Sequence, residues 1–386
     1  MWLKNLKIWD GVSDQLSDAD AVHIEEGKIS AVESSDAAGA QSGMDLSGLV
    51  AIPGLVDAHV HMCLNPDIKT ATAQGEVSRD QLLREMIIRS EQMLRAGITT
   101  ARDLGGGRWI ELELRDLINE GKVLGPRLVC AGQPITSVKG HCHFWGGEAQ
   151  DVDEALTVID RQTAHDVDLI KVMATGGTLT PGTTPKDAQF DVEVLTEIVR
   201  LANQKDYRVA AHCHGTSGIR NASEAGVTTI EHCSWVGDNG WAKDFDADVV
   251  DQIANKGIWV SPTVNVGWQR RIGSDQLEEL LKENFAKMRT AGVRLIASTD
   301  AGIPNVRHHD LPKALAVFAY FAGFSPVETL RAATSDCADA IGLGDIVGQI
   351  SVGFDADLVL YEHNPLDELN NLEQPVRVVR QGHFIE

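Results

Sequence analysis

The sequence predicts an α/β chain: a (β/α)8 TIM barrel with a small β-sandwich domain built from both termini. Three observations carry this. Eight short apolar runs recur through the middle of the chain. Amphipathic stretches of helical period separate them. The two ends share a different texture, short strands broken by turns. The barrel is expected over residues 54–345 and the small domain over 1–53 plus 346–386, against ~250 residues for a typical barrel of this kind.

The N-terminal part reads as hairpin-like strands: Ala21-Val22-His23-Ile24, the turn Glu26-Gly27-Lys28, then Ile29-Ser30-Ala31-Val32. The barrel runs follow: Leu55–His61, Thr99–Leu104, Arg127–Ala131, Asp168–Ala174, Arg208–His214, Thr228–Cys233, Trp259–Val264 and Arg294–Asp300. Several are nearly continuous in apolar or small residues, as strands covered on both faces must be. Between them, Asp80–Ala96 has helical period and Gly97 as its stop. Asp191–Lys205 places Val194, Leu195, Ile198, Val199 and Ala202 on one face. Ser325-Pro326-Val327-Glu328 reads as a capping box with proline at the first helical position. The tail returns to strands, Asp357-Leu358-Val359-Leu360-Tyr361 and Val376-Arg377-Val378-Val379.

The chain carries 56 acidic and 34 basic residues, net −22. That balance argues against nucleic acid or an anionic membrane as partner. The first residues show no long apolar core or small-residue cleavage site, so no signal peptide is expected, and no apolar run approaches ~18 residues. Cys63, Cys130, Cys142, Cys213, Cys233 and Cys337 follow no disulfide framework, which points to reduced thiols in a cytoplasmic protein. Association into a homo-oligomer is compatible with such a barrel, but no segment specifies it.

In a barrel, side chains at the C-terminal ends of the strands build the active site. His59 and His61 close the first run, and two residues apart on a strand they share a face. Lys171 lies inside the fourth, His212 in the fifth and His232 in the sixth; Asp300 ends the eighth. Imidazole is the commonest ligand for zinc-like metals. Lys171 needs an explanation, because an ammonium in an apolar strand is costly. Desolvation lowers its pKa, and a neutral amine can take up carbon dioxide as a carbamate, a two-oxygen anion able to bridge two metals. A snorkelling or salt-bridged lysine is the plain alternative, and an unmodified Lys171 beside a single metal is another.

This set resembles the amidohydrolase superfamily in its binuclear, carboxylated-lysine branch, over nearly the whole chain. The resemblance rests on Pro53-Gly54-Leu55-Val56-Asp57-Ala58-His59-Val60-His61, on Gly97-Ile98-Thr99-Thr100-Ala101-Arg102-Asp103-Leu104-Gly105-Gly106, on the lysine segment, and on the tail Gly348-Gln349-Ile350-Ser351-Val352-Gly353-Phe354-Asp355-Ala356-Asp357-Leu358-Val359. The texture is similar to imidazolonepropionase-like proteins and to Xaa-Pro or Xaa-Arg dipeptidases. The resemblance implies two divalent metals, taken as zinc. His59, His61 and Asp300 would hold one, His212 and His232 the other, with N6-carboxylated Lys171 between them. It implies Asp300 as general base and then acid. Mononuclear deaminases of the superfamily lack the strand-four lysine and place a glutamate after the fifth-strand histidine. Here Cys213-His214-Gly215 follows, which favours hydrolysis.

His214 shares a strand face with His212 and is the alternative ligand. His141 and His143 follow the third strand and are expected to contact substrate or polarise its carbonyl. Trp235, Asn265, Trp268 and His308 are expected pocket walls, with His309 beside the last. Arg102 and Asp103 read as an internal ion pair or barrel-mouth support, and Thr178–Asp187 as either a lid or a surface loop. The expected function is metal-dependent hydrolysis of a C–N amide bond in a small molecule such as a dipeptide or N-acyl amino acid. A cyclic amide, carbamate, ester or lactone is the alternative, since activated water attacks all of these. A third possibility, a non-catalytic scaffold, should have lost ligands. One departure weakens the dipeptidase reading: Cys233-Ser234-Trp235 stands where those members carry a tyrosine. No strand-end arginine offers a carboxylate clamp; Arg270, Arg271 and Arg307 are loop candidates.

Overall fold

A computed structural model describes residues 1–37, 42–274 and 276–385. Eight parallel strands run in chain order. β1 (Leu55–Val60), β2 (Ile98–Asp103) and β3 (Arg127–Cys130) form one sheet. β4 (Ile170–Met173), β5 (Val209–Gly215), β6 (Thr229–Val236), β7 (Trp259–Ser261) and β8 (Arg294–Leu295) form the second. Single parallel bridges connect the two sheets at both seams, Ile135 with Val172 and Val60 with Ala301.

Helices cross between the strands, and their ends follow local chemistry. Arg79–Arg95 is capped by the Ser78 hydroxyl and closes at Gly97, whose φ of 88° suits glycine. Val192–Asn203 is capped by Asp191 and buries Leu195, Ile198, Val199 and Ala202. At Pro326–Ala332 both bonds of the Ser325–Glu328 capping box are made. Gly54 marks a close approach: a Cβ there would lie 2.0 Å from Thr99 Oγ1. Among the described residues no helix is long and apolar enough to cross a membrane.

The terminal segments make two further sheets. Lys28–Glu33, Ala21–Glu25, Trp2–Lys4 and Gly43–Asp45 form one. His383–Ile385, Arg377–Arg380, Leu358–Tyr361, Val50–Pro53 and Lys7–Ile8 form the other. The two ends of the chain join where Val50–Pro53 pairs antiparallel with Leu358–Tyr361. Leu3, Ile8, Val22, Ile24, Leu358, Leu360 and Val379 share one buried cluster beneath both sheets.

The eighth run departs from expectation. Its ladder stops at Leu295, five residues before Asp300, because the following amides find other acceptors. Ala297 N–H donates to Ala332 O, Thr299 N–H to the Asp57 carboxylate and Asp300 N–H to His59 O. Asp300 is therefore set by β1, in a left-handed conformation with φ 59°. β6 departs the other way. It runs on to Val236 through left-handed His232, Cys233 and Trp235, backbone strain of the kind that gathers at functional sites.

Candidate metal centre

The two β1 histidines are buried and turned the same way. His59 donates from Nδ1 to Glu231 Oε2 at 2.9 Å, and His61 from Nδ1 to Gly105 O at 2.9 Å. These bonds fix the tautomers and free both Nε2 atoms. The two Nε2 atoms lie 3.4 Å apart, and 3.3 and 3.5 Å from Asp300 Oδ1. A second group assembles from β5 and β6, where His212, His214 and His232 bring one ring nitrogen each within 4.8 Å of one another. His212 Nε2 donates to Gly176 O, His232 Nδ1 bonds Thr263 Oγ1 and His214 Nδ1 bonds Ser234 Oγ. The remaining nitrogens, His212 Nδ1 and the Nε2 atoms of His214 and His232, are left for a ligand. The open choice between His212 and His214 thus becomes a cluster containing both.

Lys171 on β4 lines the same cavity, of about 220 Å³. It is 1% exposed, and its Nζ has no hydrogen-bond partner among the described residues. Burial lowers its pKa to about 8 despite the Glu231 carboxylate. Its charge reaches both histidine groups. Burial, with neighbouring positive charge, holds His59 down to about 4 and His61, His212 and His232 well below 6.5. Neutral imidazoles are the ligating form. Burial raises Asp300 to about 8, Lys171 opposing and Glu231 and Asp57 adding to the rise. Two sets of converging ligand atoms, each able to hold a metal ion, lie around the unpartnered Lys171 amine.

Glu231 and Asp57 escaped the sequence reading. Glu231 is fully buried, accepting from Arg102 Nη2 at 2.7 Å, from Thr229 and from His59. Burial pushes its carboxyl upward, but Arg102, His59 and Lys171 outweigh that and hold it well below the usual range. Asp57 accepts from His59 N–H, Thr299 N–H and Thr299 Oγ1 and so ties β1 to the Asp300 segment. The signal was present in both cases, a carboxylate inside an apolar strand, and it is the same signal that marked Lys171.

Other expected residues separate. His141 joins the cavity, its ring 4.6 Å from His212 and its Nδ1 unpartnered; burial lowers its pKa to about 4. His143 does not line that cavity. The short helix His143–Trp145 turns it into an adjoining space bounded by Cys63, Arg108 and Glu111. His308 is not a wall residue either: its Nε2 donates to His61 O at 3.0 Å, which holds the ligand strand. Asn265 is spent on structure, capping Val266–Arg271 and donating to Thr299 O. Trp235 and Trp268 line a separate cavity that shares His232 with the first. Arg102 pairs with Glu231 rather than Asp103, whose carboxylate accepts from the Met62 and Gly105 amides. Of Thr178–Asp187, Thr178 and Leu179 border the site, while Thr180 and Thr183 tie the loop back to Cys142 and Gly177.

This fold and donor set define a hydrolase class, and comparison agrees: residues 50–385 match the amidohydrolase family, to which the chain belongs. It is similar to ochratoxinase of Aspergillus niger, 27% identical over 370 residues covering 85% of this chain and 73% of that protein. Imidazolonepropionase of Fusobacterium nucleatum subsp. nucleatum is 23% identical over 386 residues, covering 88% and 84%. The crystal structure of a Xaa-Pro dipeptidase with bound methionine in the active site superposes with a TM-score of 0.87 at 25% identity, covering 100% and 99%. The chain is a hydrolase acting on C–N bonds.

Proposed function

We propose that this protein is a metal-dependent amidohydrolase cleaving the C–N bond of a dipeptide or N-acyl amino acid. One observation carries the reading: two three-donor groups, His59/His61/Asp300 and His212/His214/His232, share a cavity with a buried Lys171 amine that has no partner among the described residues. The eight strands serve as one (β/α)8 barrel over 54–345, with a β-sandwich from 1–53 and 346–386 beside it. His59, His61 and Asp300 would hold one zinc ion, His212 and His232 a second, with Lys171 bridging as its carbamate. Bound divalent metal supplies a Lewis acid and lowers the pKa of water toward ~7.

The chain's own groups do the rest. Asp300 receives a proton and returns it to the leaving amine. His141, buried beside His212 with a spare ring nitrogen, hydrogen-bonds the scissile carbonyl. Glu231 and Gly105 O keep both β1 imidazoles in one tautomer. Six unpaired cysteines support a cytoplasmic location.

Metal analysis and a substrate screen test this. About two metals per chain are expected, with loss on Lys171→Ala and partial return on adding a short carboxylic acid. One metal per chain regardless of Lys171 would sink the bridge. Cleavage of lactones or esters but of no amide would sink the substrate class.

A further inference from the structure

A second cavity, of about 320 Å³, lies beside the metal centre and shares His232 with it. It is built by the segments after β6 and β7 and by the helix Gln276–Thr290. Trp241, Trp268, Phe285 and Met288 make most of it apolar. Two donors in its lining have no acceptor among the described residues. The first is Arg271, whose guanidinium carbon sits 3.8 Å above the centre of the Trp268 ring. The basic residues of that helix are paired, Lys282 with Glu278, Lys287 with Glu283 and Arg289 with Glu328, whereas Arg270 makes no ion pair among the described residues. Among the described residues no ion pair includes Arg271. Burial, with Arg270 alongside, brings it down to about 10, and its charge is felt at His214. The second donor is the indole N–H of Trp235, a side chain 1% exposed whose Nε1 has no partner among the described residues. A planar guanidinium stacked on an aromatic face is pre-organised to take a carboxylate through two parallel bonds.

We propose that this cavity is the anion subsite of the active site, where Arg271, braced on Trp268, holds the carboxylate of a substrate whose apolar side chain packs against Phe285 and Met288. The inference rests on the hydrolase reading above and narrows it to acylated amino acids with a large apolar side chain.

The probe is a matched pair, 3-phenylpropanoate and its uncharged amide 3-phenylpropanamide, titrated calorimetrically into metal-loaded full-length protein. The acid is expected to bind about tenfold tighter or more, as a charge-assisted bidentate pair does. That preference should collapse in Arg271→Gln and survive in part in Arg271→Lys, which keeps charge without the fork. Equal binding of acid and amide by the unaltered protein overturns the proposal and needs no variant. A preference that persists undiminished in Arg271→Gln places the carboxylate elsewhere, on the metals, and also overturns it. A preference that behaves as expected in a protein that cleaves no amide leaves the subsite standing and removes the proposed reaction instead.

Discussion

Replacing Glu231 with glutamine should damage stability and metal affinity together. Glu231 is fully buried, and both its oxygens are committed, Oε1 to Arg102 and Thr229 and Oε2 to His59. Arg102 is 2% exposed, and among the described residues its other donors reach only Ala58 O and Thr229 Oγ1. Glutamine keeps the shape and one oxygen but removes the charge, stranding a buried guanidinium. Losing one partner of a buried pair costs about 3–5 kcal/mol, and the isosteric amide puts the expectation near about 3 kcal/mol. The same change weakens the hold on the His59 tautomer, for which metal affinity should fall about 10–100-fold. Urea midpoints at unchanged m-value report the first effect, and chelator competition the second. Adding Arg102→Met should recover stability, because no uncompensated charge remains, without recovering metal affinity. A Glu231→Gln protein within about 1 kcal/mol of the parent, binding metal equally well, would refute the reasoning.

Other expectations follow from the same geometry. Burial, then the Asp103 charge, raises Glu111 from 4.5 to about 8. Its folded form keeps a proton that the unfolded chain releases, so its contribution is full below pH ~4.5 and is lost at about 1.4 kcal/mol per pH unit up to about 8. Stability of Glu111→Gln, followed by urea unfolding from pH 4.5 to 8, should fall less steeply; parallel curves would contradict this. Gly177→Ala would put a Cβ 2.4 Å from His141 Cε1, displacing that ring at about 1–3 kcal/mol. Its kcat/KM should drop about as far as that of His141→Ala, and the double variant should add little; an unchanged kcat/KM would free His141 of a role. Asp300→Asn should lower kcat by about 10²-fold or more and weaken metal binding at the His59/His61 end, both measurable by steady-state kinetics and metal titration. Full activity there would reassign the proton transfer.

Local pattern was enough for much of this protein. Apolar continuity announced eight buried strands, capping residues set helix ends to within a residue or two, and His59, His61, Lys171, His212 and His232 could be named because a polar side chain in an apolar strand has few bland explanations. Tertiary structure decided the rest, because whether a side chain faces the candidate metal centre depends on neighbours distant in sequence. Asp300 reaches the centre through bonds to β1, not as the end of a strand. His141 turns inward while His143, two residues on, turns away across a short helix with left-handed ends. His308 and Asn265, expected at the substrate, are used up holding His61 and Thr299. Glu231, readable in principle, gained meaning only when Arg102 and His59 were found on either side of it. A strand's period settles which face a residue shares with its neighbour two positions away. Only the packing of eight strands settles which of those faces meet.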